Sequence, residues 1–222
     1  MTSFFIEEAC DIIRCQRQGI SLNIWFLLWI FLAVFLLGLF AWSLHILMRQ
    51  KQAWEQFAKK NNLSINKGKF FASSSVAGML KSFPFYLFSE EQVANLNGGR
   101  RFRTIIQFEL PKMPVPGIVA SPDAQNFAKA LGLKEEYLPE YLFWNKNIVI
   151  LTDNAEAVKS YFTEERCKSL NSIMTIGSIA GILIFDDTST YLRFETPDPF
   201  DNMQKLDRFV SKAAEHAKIL SV

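Results

Sequence analysis

The chain has few of the residues that usually carry catalytic chemistry. Only two histidines and three cysteines occur among its 222 residues. His45 lies within an apolar run, so a histidine-based triad would depend on His216 alone. The sequence also lacks a glycine-rich phosphate loop and a G-x-S-x-G nucleophile motif. We therefore predict no catalytic residue and no cofactor, and an enzyme of unknown class is kept only as an alternative.

Cysteine placement and net charge narrow the class of protein further. Cys10 and Cys15 precede the apolar run and Cys167 stands alone after it, so the C-terminal part has no disulfide framework. Basic and acidic residues nearly balance, and the formal net charge is +2 at pH 7. Such a chain lacks the strongly positive field of nucleic-acid-binding proteins. Nucleic acid is therefore not a predicted partner.

Charge is missing altogether from residues 21–48, which contain no Asp, Glu, Lys or Arg. As a helix, this run of about 28 residues would be ~42 Å long, more than the ~30 Å of a bilayer's hydrocarbon core. Its Leu, Ile, Phe and Val side chains favour insertion by on the order of 5 kcal/mol. The run is therefore predicted to be a transmembrane helix.

Aromatic residues lie near both ends of the predicted span. Trp25 and Trp42 are placed where amphipathic rings favour the membrane interface. A fully buried core helix and a cleaved signal peptide are the alternatives. The run is longer than the ~7–15 apolar residues of a signal peptide and is not followed by a typical cleavage site. We predict an uncleaved signal-anchor.

Lysine and arginine near the span predict its orientation, because positive residues are retained on the cytoplasmic side. Only Arg14 and Arg17 precede the span. The cations that follow it are Arg49, Lys51, Lys59, Lys60, Lys67 and Lys69. The prediction is an inner-membrane protein with a cytoplasmic C-terminal part, although a short N-terminal tail often favours the opposite arrangement. Arg49, Lys51, Lys59 and Lys60 are also predicted to lie at the membrane interface, where anionic lipid attracts them.

After the span, the pattern changes to short alternating elements. Residues 49–62 continue as a helix with aromatic residues on one side and lysines on the other, which predicts a juxtamembrane stalk or surface helix. Residues 63–222 are long enough for one domain with a sizeable core. The predicted organisation is an N-terminal tail at 1–20, a transmembrane helix at 21–48, the juxtamembrane helix at 49–62 and an α+β domain at 63–222.

Strands in this domain are predicted to form antiparallel hairpins. Turn residues indicate hairpins around residues 98–99, 145–147 and 186–190. The proline-rich stretch at 111–122 predicts a loop or an edge segment. The uncharged run at 172–185 would span only ~21 Å as a helix, so we predict a turn that leads into a core strand.

Helices are predicted between and after these hairpins. Ser121 is a plausible N-cap for a helix that Gly132 would close. Asp153 begins a capping-box pattern for a second helix. Apolar residues recur at helical spacing over 200–220, which predicts an amphipathic helix covering a sheet. The predicted class is α+β with a single N-terminal transmembrane helix, not the alternating pattern of a parallel sheet.

Acidic residues near the third hairpin raise the question of a metal site. Hard cations need clustered oxygen ligands, which Asp186 and Asp187 could supply. Glu195 or Asp198 would complete the set. Acidic pairs at hairpin tips are typical turn residues, and no metal site is predicted.

Positive charge is concentrated on the second strand of the first hairpin. Alternation places Arg101 and Arg103 on its wet face and Phe102 on its core face. Arg100, Arg101 and Arg103 are candidate partner-contact residues that could bind phosphate or an acidic partner, with a solvated strand end as the alternative. Phe102→Ala is expected to destabilise the domain by ~3 kcal/mol or more if that side is packed.

The segment "TDNAEAVKSYFTEERCKSL", between a strand and a paired-strand region with a terminal helix, resembles an uncharacterised bacterial family of membrane-anchored α+β domains. The resemblance extends from Trp54 to Leu220 and is best from Asp153 to Leu170. No known activity accompanies that family. The resemblance therefore implies the layout of the domain and no chemistry.

These patterns together predict a single-pass, membrane-anchored protein-interaction domain, an accessory or structural subunit of a membrane-associated assembly. The predicted partners are the lipid bilayer and other membrane-associated proteins, and no oligomeric state is specified. One alternative is a lipid- or small-ligand-binding module, which would need a deep apolar cavity under the terminal helix. The other is a membrane-tethered enzyme, which would need His216 or the Asp186 and Asp187 pair to meet further polar groups in a pocket.

Overall fold

The computed structural model describes residues 4–69, 72–93, 100–113 and 115–221, with backbone only for residues 4–23, 92–93 and 100–101. The chain divides into two compact units, Met1–His45 and Ile46–Val222. The turn predicted at residues 98–99 lies outside the described residues. The helices are α1 Phe4–Lys60, α2 Gln125–Ala130, α3 Ala155–Lys159, α4 Glu164–Met174 and α5 Met203–Leu220.

The first unit consists of the N-terminal part of α1. From Ile24 onward, α1 has the length and apolar composition to cross a membrane, with a mean hydropathy of 2.7 in its most apolar window. None of that window is buried inside the protein, and Trp25 and Trp42 are each 66% exposed. Among the described residues it is the one helix that meets these criteria. The candidate membrane span predicted from the sequence is therefore present.

The C-terminal part of α1 belongs to the second unit and lies in its core. Trp54 and Phe57 are almost completely buried, and the Trp54 indole N–H donates to the Pro199 carbonyl over 3.2 Å. Gln50, Trp54 and Phe57 recur three or four residues apart, so they share one face of the helix. Residues 49–62 were expected to form a stalk or surface helix, whereas the helical part of that segment is a packed element of the domain.

Nine strands of the described residues form one antiparallel sheet in the order β1-β2-β3-β4-β9-β8-β5-β7-β6. Their bounds are β1 Ser64–Asn66, β2 Ser75–Leu80, β3 Phe83–Val93, β4 Arg100–Leu110, β5 Gly117–Ala120, β6 Glu135–Glu136, β7 Val149–Thr152, β8 Ala180–Phe185 and β9 Thr190–Thr196. With its covering helices, the sheet confirms the predicted α+β class.

The two faces of the sheet are covered unequally. Its inner face packs against the end of α1 and against α3, α4 and α5 in one large apolar cluster. Gly181 of β8 permits close packing there, since a Cβ atom at this position would lie 2.6 Å from the Met174 sulfur. On the outer face, a smaller cluster around Ile118, Ala128 and Ile182 covers β5 and β8 beneath α2. Among the described residues, the helices pack in these two clusters, and neither cluster covers the outer face of β2, β3, β4 and β9.

Two helices differ from their predicted form. A 3₁₀ turn at Pro122–Ala124 precedes α2, and the Ser121 hydroxyl accepts a hydrogen bond from Gly181 N–H (3.0 Å) instead of capping. The helix predicted from Asp153 is capped by Asn154, whose side chain accepts from Ala157 N–H. It then breaks into α3 and α4, because Thr163 caps a second helix start.

Of three strand predictions, one is confirmed and two are wrong. The hairpin around residues 186–190 is confirmed as β8 and β9. The prediction of a hairpin around residues 145–147 is wrong. In that segment only Val149–Thr152 forms a strand, β7, and β7 pairs with β5 and β6. Within residues 111–122, Gly117–Ala120 forms β5, a buried internal strand between β7 and β8, whereas a loop or an edge segment was expected. Pro116 and Pro122 lie on either side of this strand and interrupt no ladder.

Candidate functional site

The acidic residues considered for a metal site do not converge. Asp186 Oδ1 accepts hydrogen bonds from the Thr188 and Ser189 backbone amides at 2.7 and 2.6 Å, as the turn residue of the β8–β9 hairpin. The Thr188 hydroxyl, followed by these amides, lowers the pKa of Asp186. Asp198 follows the opposite end of β9 and accepts from Phe200 N–H. No group of three His, Cys, Asp or Glu side chains among the described residues could hold a metal ion.

His216 pairs with a serine that a substrate cannot reach. The Ser169 hydroxyl lies 2.8 Å from His216 Nδ1, across the contact between α4 and α5. Ser169 is only 4% exposed. Burial, and secondarily the charge of Lys212, lowers the pKa of His216 and favours its neutral form. The pair therefore links two helices and does not present an accessible nucleophile.

The space beneath α5 is filled by side chains. Leu206, Val210 and Ala214 of α5 are buried against the sheet. A pocket of about 300 Å³ lies beside the C-terminal end of α5, lined in part by Lys112, Tyr161 and Arg166. The Arg166 guanidinium already bonds the Tyr161 carbonyl at 2.9 Å. The apolar side chains of α5 thus occupy the position at which a lipid-binding module would need its cavity.

The cations predicted at the membrane interface contact other groups of the domain, and three of them form ion pairs. Arg49 contacts Asp201 at 3.2 Å, in the loop before α5, and Lys60 contacts Asp207 of α5 at 2.8 Å. Lys59 contacts Glu55 at 3.0 Å, as does the neighbouring Lys67, and Lys51 Nζ donates to the Lys69 carbonyl over 2.8 Å. Lys67 and Lys59 lower the pKa of Glu55. The cations of these pairs are largely exposed, so the pairs contribute little to stability.

The arginines of the first hairpin lie on a two-stranded arm. Strand β4 pairs with β9 only from Thr104 to Leu110, whereas it pairs with β3 as far as Arg100. Residues 90–93 and 100–103 therefore extend beyond the rest of the sheet, and we call them the β3–β4 arm. Arg103 is half-buried and lies opposite Glu90, while Arg101 and Arg100 lie opposite Gln92 and Val93.

The exposure of Phe102 contradicts the prediction that this side chain is packed in the core. Phe102 is 67% exposed, although it shares the face of β4 that carries the buried Ile106 and Phe108. The reason is its position beyond the last β9 pair, opposite the exposed Glu91, where the strand has left the packed region. Alternation gave the correct face, but nothing in the sequence marks where the packing on that face ends.

The uncovered part of the outer face carries aromatic and charged side chains. Met79 is 62% exposed and Tyr86 is 40% exposed. Arg193 of β9 donates to Glu90 of β3 and to Glu195 of β9, each at 2.8 Å. Ile105 of β4 pairs with Phe88 of β3 and with Glu195 of β9, and its side chain is completely buried. This surface was not identified from the sequence, because the order of the strands determines which side chains become neighbours.

Comparison with protein-family models gives no match. Comparison with curated proteins gives no match either. Among solved structures, the crystal structure of the mycobacterial trehalose monomycolate transport factor A, TtfA, is similar with a TM-score of 0.47 and 13% sequence identity. The alignment covers 77% of this chain and 94% of that chain. A likeness at this level assigns neither an activity nor a partner.

Proposed function

We propose that this chain is a single-pass, membrane-anchored accessory protein whose α+β domain binds other membrane-associated proteins. The observation that carries the proposal is the uncovered outer face of β2, β3, β4 and β9. Tyrosine and arginine are enriched at protein interfaces, and this face combines Tyr86 and Tyr191 with Arg193. The apolar N-terminal part of α1 supports membrane anchoring, which would bring this face close to other proteins of the same membrane.

Negative charge introduced on the outer face should weaken the association with partner proteins without changing the stability of the domain. We expect Met79→Glu with Tyr86→Glu to reduce co-purification of membrane proteins in mild detergent, because both side chains are exposed and would meet a partner. Since neither is buried, stability should change by no more than about 0.5 kcal/mol per site. The measurement is quantitative mass spectrometry of co-purified proteins, together with a urea-unfolding curve.

Leu142→Glu is the matched control, because Leu142 is fully exposed and lies outside the outer face. It should leave both quantities unchanged. Retention of every partner by the double-Glu variant, with unchanged folding, would exclude the outer face as the interaction surface.

We also propose that the domain lies on the cytoplasmic side of the inner membrane. The support is the excess of Lys and Arg after the span. Leu142→Cys in a Cys10→Ser, Cys15→Ser background should resist an impermeant maleimide in intact cells and react after lysis. Burial raises the pKa of Cys167 to about 11, so this native thiol should not contribute.

The native chain is the reciprocal control for sidedness. Cys10 and Cys15 precede the span and should react with the same reagent on the opposite side. Labelling of the introduced cysteine in intact cells would place the domain outside the cytoplasm.

A further inference from the structure

Charges of both signs share the outer face. Side chains alternate between the two faces of a sheet, and Leu87, Ile106 and Phe194 belong to the inner cluster. Among the described side chains, the charged residues of β3, β4 and β9 that alternate with them are Glu90, Arg103, Glu109, Arg193 and Glu195. Because cations and anions nearly balance, a strongly charged partner would bring like charges together, whereas a surface of the same mixed composition can match them.

A two-fold axis can bring opposite charges of this face together. The face is four strands wide, and its centre lies between β3 and β4, where Glu90 is paired with Arg103. An axis parallel to the strands at this centre exchanges β3 with β4 and β2 with β9, and it keeps the position of each residue along the strands. Glu90 then faces Arg103 of the second copy, and Arg103 faces Glu90 of the second copy. In the same way, Met79 faces Tyr191 of the second copy, because both lie level with Glu109.

Helix α2 favours this axis over one that runs across the strands. It covers β5 and β8, next to β9, whereas Ser64 and Asn66 are exposed on β1 at the other side of the sheet. An axis across the strands would place the α2 helices of the two copies opposite each other and hold the sheets apart. With the parallel axis, α2 of each copy lies beside β1 of the other copy. The face and the helix that borders it are therefore complementary in shape to a second copy of themselves.

The size of the face predicts a weak dimer. Four strands spaced by about 4.8 Å are ~19 Å wide, and the stretch from Thr104 to Leu110 is ~23 Å long. An interface of roughly 450 Å² on each copy, about 900 Å² in total, is in the range of weak complexes. Anchoring both copies in one membrane raises their effective concentration, so association is favoured there and lost on dilution in detergent.

We propose that the outer face binds a second copy of this chain through this two-fold arrangement. The inference rests on the proposed function, in which the outer face is the interaction surface, and it names one partner for that surface. Tyr86 of β3 is 40% exposed next to the axis, so it packs near Tyr86 of the second copy. Aromatic side chains are enriched in the cores of protein interfaces.

Cross-linking of the full chain in its own membranes tests this arrangement. Tyr86→Cys in the Cys10→Ser, Cys15→Ser background is treated with a short bis-maleimide, and the covalent dimer is measured. Leu142→Cys is the matched control, because Leu142 is exposed outside the outer face. The buried Cys167 should not react. We expect most of the Tyr86→Cys chain to become a covalent dimer and little of the Leu142→Cys chain.

Charge reversal separates contact between copies from contact within one copy. With Glu90→Arg a copy carries arginine at positions 90 and 103, and with Arg103→Glu it carries glutamate at both. Each variant alone places like charges across the axis, so its cross-linking through Tyr86→Cys should fall by about tenfold. The two variants carry different tags, and expressing them together should restore cross-linking between them. Neither chain regains its own Glu90–Arg103 pair, so only a contact between copies explains the recovery.

Two results would overturn the dimer. One is equal cross-linking of Tyr86→Cys and Leu142→Cys, and the other is mixed variants that cross-link no better than each variant alone. Co-purification with the Met79→Glu, Tyr86→Glu variant then distinguishes the two proposals. Loss of other partners from that variant would leave the proposed function intact with a different protein on the outer face, whereas retention of every partner would exclude both.

Discussion

Replacing Phe35 and Leu36 with arginine is expected to release the chain from the membrane. Both residues lie in the middle of the apolar part of α1, where their side chains are 53% and 55% exposed. Each arginine at the centre of a span opposes insertion by ~2.5–3.5 kcal/mol, and together they offset an insertion free energy on the order of 5 kcal/mol. Alkaline carbonate extraction measures the result as a shift of the protein from the pellet to the supernatant.

The corresponding alanine variant is the control, because it shortens the same side chains without adding charge. It should remain in the pellet. If the double-arginine variant also remains there, α1 cannot be the single anchor of the chain.

Trp54→Ala is expected to cause the largest loss of stability in the domain. Removing a buried tryptophan costs ~3–5 kcal/mol, a large share of the ~5–15 kcal/mol of a typical domain. Trp54 is completely buried, and its replacement also leaves the Pro199 carbonyl without its donor. With a typical urea m-value of ~2 kcal/mol/M, the midpoint should fall by about 2 M. Proteolysis-detected urea unfolding of the full chain in detergent micelles measures this shift.

Two further variants test the reason for that loss. Trp54→Phe removes the N–H donor but keeps most of the apolar volume, so its effect should be clearly smaller. Phe102→Ala should change stability by no more than about 0.5 kcal/mol, because Phe102 is exposed and not packed as the sequence suggested. A Trp54→Ala midpoint like that of Phe102→Ala would show that α1 is not a core element.

The sequence predicted the features that depend on local patterns. Helix α5 has apolar residues at helical spacing, and most of them are buried. The alternation in β4 placed Ile106 and Phe108 on the core face, and turn residues located the β8–β9 hairpin. Such signals arise from side chains close in sequence, so no knowledge of the remaining chain was needed.

The features that were missed depend on residues far apart in the chain. Trp54 is buried because Pro199 and the inner face of the sheet cover it, and Phe102 is exposed because β9 stops pairing at Thr104. The same applies to the ion pairs of Arg49 and Lys60, whose partners follow about 150 residues later in the sequence. Charge alone indicated a membrane interface for these cations but could not indicate which carboxylates they would meet.

The position of β9 has a consequence for how the protein is made. This strand follows every other strand along the chain, yet it lies in the interior of the sheet between β4 and β8. Until the ribosome has delivered it, the strands that precede it can form only two separate sheets, each with an unpaired edge. A nascent domain with open edges and an uncovered apolar face is prone to aggregation. The two parts can therefore join only after residue 196 has been synthesised, and the edges of β4 and β8 are open to aggregation until then.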